Sequence, residues 1–505
     1  MLFSRNQLRG SGRKAFWSTI LAISVFLGVG TTVWLSLVFS SHRSPCIADN
    51  HSNLAPPSVF WSPPYTTLSN EASFSAPPYV HPSLSNNGLA INHLVFGIAG
   101  AAQLWDRRKE FIKLWWRREE MRGFVWLEEA VKVQEGENVP PVQVSEDTST
   151  FSYTHPLGHP SGIRLSRIVA ETFRLGLPNV RWFVMGDDDT LFNTDNLLRV
   201  LSKYDPSEMW YIGSNSESHR QNDCFSHSMA YGGGGFAISY PLAEALAAMQ
   251  DKCLERYPSL FGSDDRLHAC ITELGVPLTR ESGFHQFDVF GNAHGLLASH
   301  PLTPFISMHH LELLDPIFPH MSALDGLRLL TKAMRTEPGS FLQQSIAYDH
   351  KRSLSFSIST GYVVQVFPEI ILPRLLTRVE TTFTAWNRDK APLEFAFDTR
   401  PSVDSVCQKP YLFYLEDMQI DPSTSRVVTV YKRLQSVDEE KSKNLCWSKG
   451  LPPSQVESIR VVSERASQKF FSLPRRQCAK LLETKDRVLH INVGACMSGE
   501  VISTS

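Results

Sequence analysis

The sequence runs an apolar strand straight into three acids, Arg181-Trp-Phe-Val-Met-Gly-Asp187-Asp188-Asp189. Three carboxylates at one point repel one another unless a cation shares the site. In open α/β sheets, ligands bind beyond the carboxyl ends of the strands. Oxygen ligands there suit Mg²⁺ or Mn²⁺, which bridge to substrate phosphates. Turn chemistry accounts for one or two of these acids, since Asp favours turns, but hardly for three. A second acidic pair, Gly262-Ser263-Asp264-Asp265, opens a helix. Ser and Asp are preferred first-turn residues, so a capping role stands beside a chemical one. A helix N-terminus lowers a carboxylate's pKa, yet an ionised carboxylate still accepts a proton from an attacking hydroxyl. Tyr231-Gly-Gly-Gly-Gly235-Phe-Ala-Ile-Ser239 lets backbone approach a ligand closely, or serves as a connector into the following strand. It is not a P-loop, because no Gly-Lys-Ser/Thr follows. Met308-His309-His310-Leu311-Glu312 offers imidazole to a Mn²⁺ site begun by carboxylates.

These residues need a scaffold, and the patterning around them supplies one. Asn92–Ile98, Gly123–Leu127, Arg181–Met185 and Trp210–Gly213 read as short apolar strands. Between them, Arg107–Arg118, Arg164–Leu175 and Thr194–Lys203 carry apolar residues at helical spacing. The alternation predicts an α/β layer with a largely parallel sheet. From about Asp325 the character changes. Ser353–Phe367, Thr381–Trp386 and Tyr411–Leu415 are β-branched and aromatic, with prolines between them, which predicts a smaller β-rich module over 326–505. The α/β domain accordingly spans 91–325.

Ala15 to Ser41 has no charged residue and is long enough to span a bilayer, which needs about 20 apolar residues. Arg5, Arg9, Arg13 and Lys14 precede it, and only Arg43 follows closely. The positive-inside rule puts a tail of residues 1–14 in the cytoplasm and the rest in a lumen or outside. A cleaved signal peptide has a shorter apolar region, about 7–15 residues, so an uncleaved signal-anchor helix over 15–41 is the expectation. Residues 42–90 are rich in Pro, Ser and Asn and read as an extended stem, with Asn50-His51-Ser52 as a glycosylation acceptor. All eight cysteines lie beyond the anchor, and in an oxidising lumen an even count favours disulfides. Cys253 and Cys270 flank one short stretch and could pair. Cys407, Cys446, Cys478 and Cys496 allow three connectivities. With 49 Lys+Arg against 51 Asp+Glu, the chain has no basic excess for a phosphate backbone, which argues against nucleic acid as a partner.

Taken in order, the acid triplet, the glycine run with FAIS, the DD pair and HHLE resemble the Fringe-related inverting β-1,3-glycosyltransferases, and most nearly their plant Fringe-like branch. The resemblance covers about Asn92 to Asp315. It implies a GT-A-like nucleotide-sugar-binding sandwich, a UDP-sugar donor and a divalent metal, Mn²⁺ or Mg²⁺. It implies Asp189 on the metal, Asp187 on the metal and nearer the nucleoside, and Asp188 beside them. The family's metal-binding histidine falls on His310, with His309 as the alternative. The catalytic base falls on Asp265, with Asp264 its neighbour. Gly233, Gly234 and Gly235 would line the cleft, and Gly97, Ala102, Arg107 and Arg108 would lie near the nucleotide. One departure concerns the histidines: in Fringe proper they follow the DD helix closely, whereas here Gly283-Phe284-His285-Gln286-Phe287-Asp288 intervenes.

The expected protein is a single-pass type II Golgi membrane enzyme with a luminal catalytic domain. It moves a hexose or N-acetylhexosamine from a UDP-sugar to a hydroxyl of a glycan, glycoprotein or small molecule. A catalytically silent, membrane-anchored sugar-binding or scaffolding protein is the alternative, though a scaffold needs neither DDD nor DD. A metal-dependent hydrolase is a third reading, for which no second His-rich metal set is present.

Overall fold

The computed structural model describes residues 88–386, 394–434 and 456–502. The tail, the anchor and all but the last three residues of the stem, Asn50 included, lie outside these. Among the described residues no helix is long and apolar enough to cross a membrane. Val80–Ser505 forms one compact unit.

Its first part is a layered α/β structure. The chain-order elements are β1 (Leu94–Ala99), α1 (Trp105–Trp115), β2 (Arg122–Leu127), β3 (Val142–Val144), α2 (Ser161–Arg174), β4 (Trp182–Asp187), β5 (Leu191–Phe192) and α3 (Thr194–Leu201). There follow β6 (Tyr211–Gly213), α4 (His219–Cys224), β7 (Phe236–Ser239), α5 (Tyr240–Arg256), α6 (Ser263–Glu273), β8 (Leu278–Arg280), β9 (Val289–Gly291), α7 (His294–Ala298) and β10 (Ser307–Met308). Seven strands form one sheet in the order β3-β2-β1-β4-β7-β6-β8. The central strands β1 and β4 are buried except at their last residues. That is why they read as continuous apolar runs rather than alternating ones. The sheet is largely parallel, as expected: β1–β2, β1–β4, β2–β3 and β6–β8 all pair parallel, and β7 alone runs the other way. The strand after the glycine run, β7, is antiparallel to both β4 and β6. It follows β6 through the short helix α4 and the glycine run, a connection that returns it antiparallel. Helix α2 packs against α5 and α6, and the buried Cys253–Cys270 disulfide joins α5 to α6.

The second part is a closed barrel. After α8 (Ala323–Thr336) come β11 (Gln344–Asp349), β12 (Leu354–Ser359), β13 (Val363–Phe367), α9 (Pro373–Leu376), β14 (Val379–Glu380), β15 (Phe383–Ala385) and β16 (Thr399–Arg400). The chain ends through β17 (Tyr411–Ile420), β18 (Val427–Arg433), β19 (Ser458–Ser463), α10 (Gln468–Ser472), β20 (Cys478–Lys485) and β21 (Val488–Gly494). The barrel order is β11-β12-β13-β17-β18-β19-β21-β20. Closure leaves no edge strand to aggregate. Cys478 pairs with Cys496, which picks out one pairing among the C-terminal cysteines.

The two parts share one core. A single apolar cluster contains Phe96 and Trp115 beside the sheet and Val364 and Ile459 in the barrel. Helix α8 packs on both α1 and β17, and the boundary expected between residues 325 and 326 falls inside it. The stretch Thr381–Trp386, read with the β-rich module, instead pairs through β15 with β9 of the α/β part. Trp386 is thereby carried to the site described next.

Candidate active site

Strand β4 ends on Asp187, and a tight turn follows, with Thr190 N–H donating to Asp187 O at 3.0 Å. The Thr190 hydroxyl accepts from Asp187 N–H at 2.8 Å and donates to Gly233 O at 2.7 Å. This turn points three acids outward from the sheet end. Strand β5 then pairs antiparallel with β10, Leu191 opposite Met308. That register brings residue 309 back beside the acid turn. His309 Nε2 lies 3.0 Å from Asp189 Oδ1 and 3.5 Å from Asp187 Oδ2. Asp187, Asp189 and His309 each place a ligand atom within 4.8 Å of the others.

The next residue turns away. His310 has φ +56°, a left-handed conformation that reverses the chain. Its Nδ1 faces Phe287 O at 3.1 Å and Asp288 Oδ1 at 3.4 Å. So of the two histidines it is His309, the alternative in the sequence reading, that the structure places with the acids.

Positive charge balances the triplet. Arg108 Nη1 lies 2.8 Å from Asp188 Oδ1 and 2.7 Å from Asp189 Oδ1, and Arg108 Nε lies 3.2 Å from Glu312 Oε1. Glu312, the last residue of HHLE, also holds Arg107 at 2.9 Å. Arg107 itself is 64% exposed. Ala102 N–H donates to Glu128 Oε1 at 2.9 Å and does not face the acids. Gly97, Asp187, Gly232 and Asp264 line one narrow cavity.

The acids divide as like charges in a small space must. Burial pushes Asp187 up to about 7, with Asp189, Asp264 and Asp188 adding to the effect against His309. Its side chain keeps 38% of its surface open, so water screens part of that shift. Burial likewise raises Asp188 to about 6 against the pull of Arg108. At Asp189 burial is outweighed by His309 and Arg108, which hold the carboxyl at about 2. Burial works against the His309 cation, but Asp189 and Asp187 raise it to about 9. Burial and the neighbouring His309 charge push His310 down to about 3.

The glycine run is a brace behind this cluster. A Cβ on Gly233 would sit 2.1 Å from the His309 ring. Gly235 has φ +82°, the left-handed region that glycine enters freely. The Gly234 N–H is taken by Gln286 Oε1 at 2.6 Å, and that of Gly235 by Gly232 O at 2.9 Å. Gly233 therefore leaves room for the His309 ring, while the N–H groups of Gly234 and Gly235 are already taken. The neighbouring Gly232 meets the DD pair instead. A Cβ there would lie 2.5 Å from Asp264 Oδ1, and burial raises the Asp264 pKa against a hydrogen bond from the Gly232 backbone. Asp265, also in the first turn of α6, acts electrostatically on the Tyr231 hydroxyl, as Asp288 and Asp264 do more strongly.

Sequence reasoning missed four residues. Tyr231 and Asn215 are buried, and neither the Tyr231 hydroxyl nor Asn215 Oδ1 has a hydrogen-bond partner among the described residues. Asp288 is buried against Ser216 and His310, and burial raises it to about 7. Trp386 stacks on His310. Tyr231 and Asp288 stood at the edges of motifs already noted, which was the available signal. Asn215 and Trp386 had none, because only the fold brings them near.

Buried polar atoms without a hydrogen-bond partner among the described residues gather here: Asp188 Oδ2 and His309 Nδ1, besides the Tyr231 hydroxyl and Asn215 Oδ1. Buried polar groups are nearly always hydrogen-bonded, so such a cluster calls for a missing partner. Two carboxylates and an imidazole suit a divalent cation of the Mn²⁺ kind.

Known proteins point the same way. A family model described as "Protein of unknown function, DUF604" matches residues 221–479, and one described as "Fringe-like" matches residues 106–294. The beta-1,3-glucosyltransferase of Homo sapiens is 32% identical over 105 residues, 21% of this chain and 20% of that protein. The Mus musculus beta-1,3-glucosyltransferase is 32% identical over 107 residues, 21% of each chain. The match thus spans about a fifth of the length of these relatives. Among solved structures, apo mouse xyloside xylosyltransferase 1 aligns at 10% identity over 40% of this chain and 87% of that one, with a TM-score of 0.26. That likeness is too slight to carry an argument. The first model covers more than half of the chain, and between them the two cover every acid of the DDD and DD motifs and both histidines. The chain belongs to the DUF604 family, and its residues 106–294 form a Fringe-like domain.

Proposed function

We propose that this chain is a metal-dependent, inverting glycosyltransferase with a GT-A-like catalytic layer. It transfers a hexose or N-acetylhexosamine from a UDP-sugar to an acceptor hydroxyl, forming a β-1,3 bond. The observation that carries the reading is the meeting of Asp187, Asp189 and His309 beyond the end of β4, amid buried polar atoms that lack partners.

Asp187, Asp189 and His309 would hold a divalent cation, Mn²⁺ or Mg²⁺. When bound, such an ion supplies Lewis-acid stabilisation of charge on a diphosphate, worth several kcal/mol. The protein's own groups do the rest. Arg108 already spans Asp188 and Asp189, so it stands where a diphosphate's negative charge would be met. Glu312 fixes Arg108 in that position. Asp264 braces Gly232 and shares a cavity with Asp187, which sets it on the donor side. Asp265, its neighbour in the same turn, is left to the acceptor side. There it takes the acceptor hydroxyl's proton as that oxygen attacks the anomeric carbon and the UDP–sugar bond breaks. The unpartnered Tyr231 hydroxyl and Asn215 carbonyl oxygen offer hydrogen bonds to the acceptor.

The chain would act in the Golgi lumen as a type II membrane protein of the plant Fringe-like branch. The charge asymmetry around residues 15–41 supports that topology. The test is transfer and hydrolysis of a UDP-sugar panel by the purified protein, with Mn²⁺ and with chelator. Turnover of at least one donor that stops with chelator is expected. UDP-sugar binding without any turnover would instead favour the silent sugar-binding protein.

A further inference from the structure

A cavity of about 140 Å³ opens on the barrel, away from the acid triplet. It lies between the loop that leads into β11, the segment joining β19 to β20, and the chain just after β21. Two polar side chains on its lining, Ser340 and Gln343, are 3% and 4% exposed. Neither Ser340 Oγ nor Gln343 Oε1 has a hydrogen-bond partner among the described residues. The Gln343 amide is not free to turn. Its Nε2 donates to Thr303 O at 2.5 Å and lies 3.2 Å from His300 Nδ1. A carbonyl oxygen facing Thr303 O would find no donor, so the orientation with Oε1 left over is the favoured one. Buried acceptors without donors are costly, and a ligand hydroxyl would relieve this one.

The rest of the lining is cationic. Arg475 donates to the carbonyl oxygens of Met497 and Glu500, the latter at 3.2 Å, and its charge is felt by the Glu500 carboxylate, which Lys480 holds at 3.4 Å. Arg476 donates to Gln344 O at 2.8 Å and Gln344 Oε1 at 3.0 Å, and burial lowers its pKa. The Arg476 guanidinium meets no carboxylate in these contacts. Lys469 adds an exposed ammonium. Arg465 also lines the cavity, but it is paired with Glu337 at 3.1 Å. The one acidic lining residue, Glu464, lies 3.9 Å from Arg426. Phe470 contributes an apolar wall.

We infer that this cavity binds a sugar carrying an anionic group: Gln343 Oε1 and Ser340 Oγ take its hydroxyls, and Arg475, Arg476 and Lys469 take its charge. A neutral sugar would leave Arg476 and Lys469 unmatched, and a bare inorganic anion would leave Gln343 without a donor. Phe470 suits the C–H face of a pyranose ring. The inference stands apart from the transfer reaction and does not require it. In a protein that handles glycans, such a site would hold an acidic residue of a substrate chain at a distance from the reacting hydroxyl.

The test is calorimetry on the detergent-solubilised full-length protein with four probes. D-glucuronate and glucose 6-phosphate carry both hydroxyls and charge; D-glucose and sulfate each carry one of the two. Binding of D-glucuronate, glucose 6-phosphate or both is expected, with glucose and sulfate at least about tenfold weaker. The two anionic sugars, compared, tell a carboxylate-preferring site from a phosphate-preferring one. Lys469→Ala with Arg475→Ala, and separately Ser340→Ala, should weaken binding about tenfold while the melting temperature of the free protein stays put. Failure of both anionic sugars to bind overturns the inference. So does binding that survives both sets of variants, or sulfate binding as tightly as the sugars.

Discussion

His310 and Trp386 lie face to face, ring centroids 4.4 Å apart and planes 12° from parallel. Phe290 stacks on the same indole at 4.6 Å and 4°. Trp386 directly follows β15, the one strand of the C-terminal half that pairs with β9. A residue about 75 positions downstream of the histidines therefore fixes the ring adjacent to His309. His309 and His310 centroids are 4.0 Å apart, so motion in one ring reaches the other.

Trp386 should accordingly behave as a positioning residue. Trp386→Ala is expected to lower kcat about tenfold, with Trp386→Phe recovering most of it, since an aromatic pair is worth about 0.5–1.5 kcal/mol. Steady-state kinetics on both variants, beside the melting temperature, checks this. Equal kcat in the parent and Trp386→Ala would show that the stack only packs.

The histidines should separate cleanly. His309→Ala and Asp189→Ala should each weaken Mn²⁺-dependent UDP binding by at least about 100-fold, as lost ligands do, whereas His310→Ala should cost about tenfold or less, as for an outer neighbour. Calorimetry with UDP and Mn²⁺ on the three variants decides. Loss in His310→Ala alone would return the role to the residue that the motif first suggested.

That reversal shows where the sequence stops being readable. The acid triplet was legible because one strand carries it: β4 is apolar to its end, and nothing but the turn follows. Most strands and helices of the α/β layer were legible for the same local reason. The choice between His309 and His310 was not. It depends on the Leu191–Met308 register, set by strands more than 100 positions apart, and on the left-handed turn at His310, whose ring is held by Phe287, Asp288 and Trp386. The packing of the glycine run was hidden in the same way. Its glycines look exposed to a ligand in sequence, yet His309 fills the space above Gly233. Trp386 and the closure of the barrel depend on pairings between distant strands, which no local pattern records.

The two first-turn acids of α6 should also part company. Asp265→Asn is expected to keep donor affinity and to lose transfer by about 10²–10⁴-fold, the usual range for a missing general base. Asp264→Asn should act differently, because Asp264 packs against Gly232 and shares the cavity with Asp187. Its loss should weaken UDP binding as well as turnover. Transfer rate and UDP affinity measured side by side separate the two. A parental rate in Asp265→Asn would remove it from the acceptor side.

The joint between the two halves should loosen in acid, and His294 is the group that makes it do so. His294 is 6% exposed at the start of α7. Its Nδ1 lies 3.2 Å from both the Tyr362 and Tyr414 hydroxyls, and its Nε2 lies 3.0 Å from Gln365 Nε2, all on barrel strands or their turns. Burial, with Arg400 nearby, lowers its pKa to about 4. The unfolded chain takes up this proton near pH 6.5, the folded one only near 4, so stability is intact above 6.5 and falls as pH drops toward 4. Between pH 7 and 5 the difference amounts to about 2 kcal/mol for this group. His300, whose pKa burial also lowers, acts in the same direction. The raised carboxyls of Asp187 and Asp288 act in the opposite one, since folding favours their protonated forms. The measurement is therefore a difference of slopes: melting temperature from pH 7 to 5 for the parent and for His294→Gln. Gln keeps hydrogen bonds to the tyrosines but cannot take the proton. The parent should lose a few degrees more than the variant over that range. Parallel curves would mean that His294 is protonated in the folded joint and that the tyrosines and Gln365 accommodate the charge.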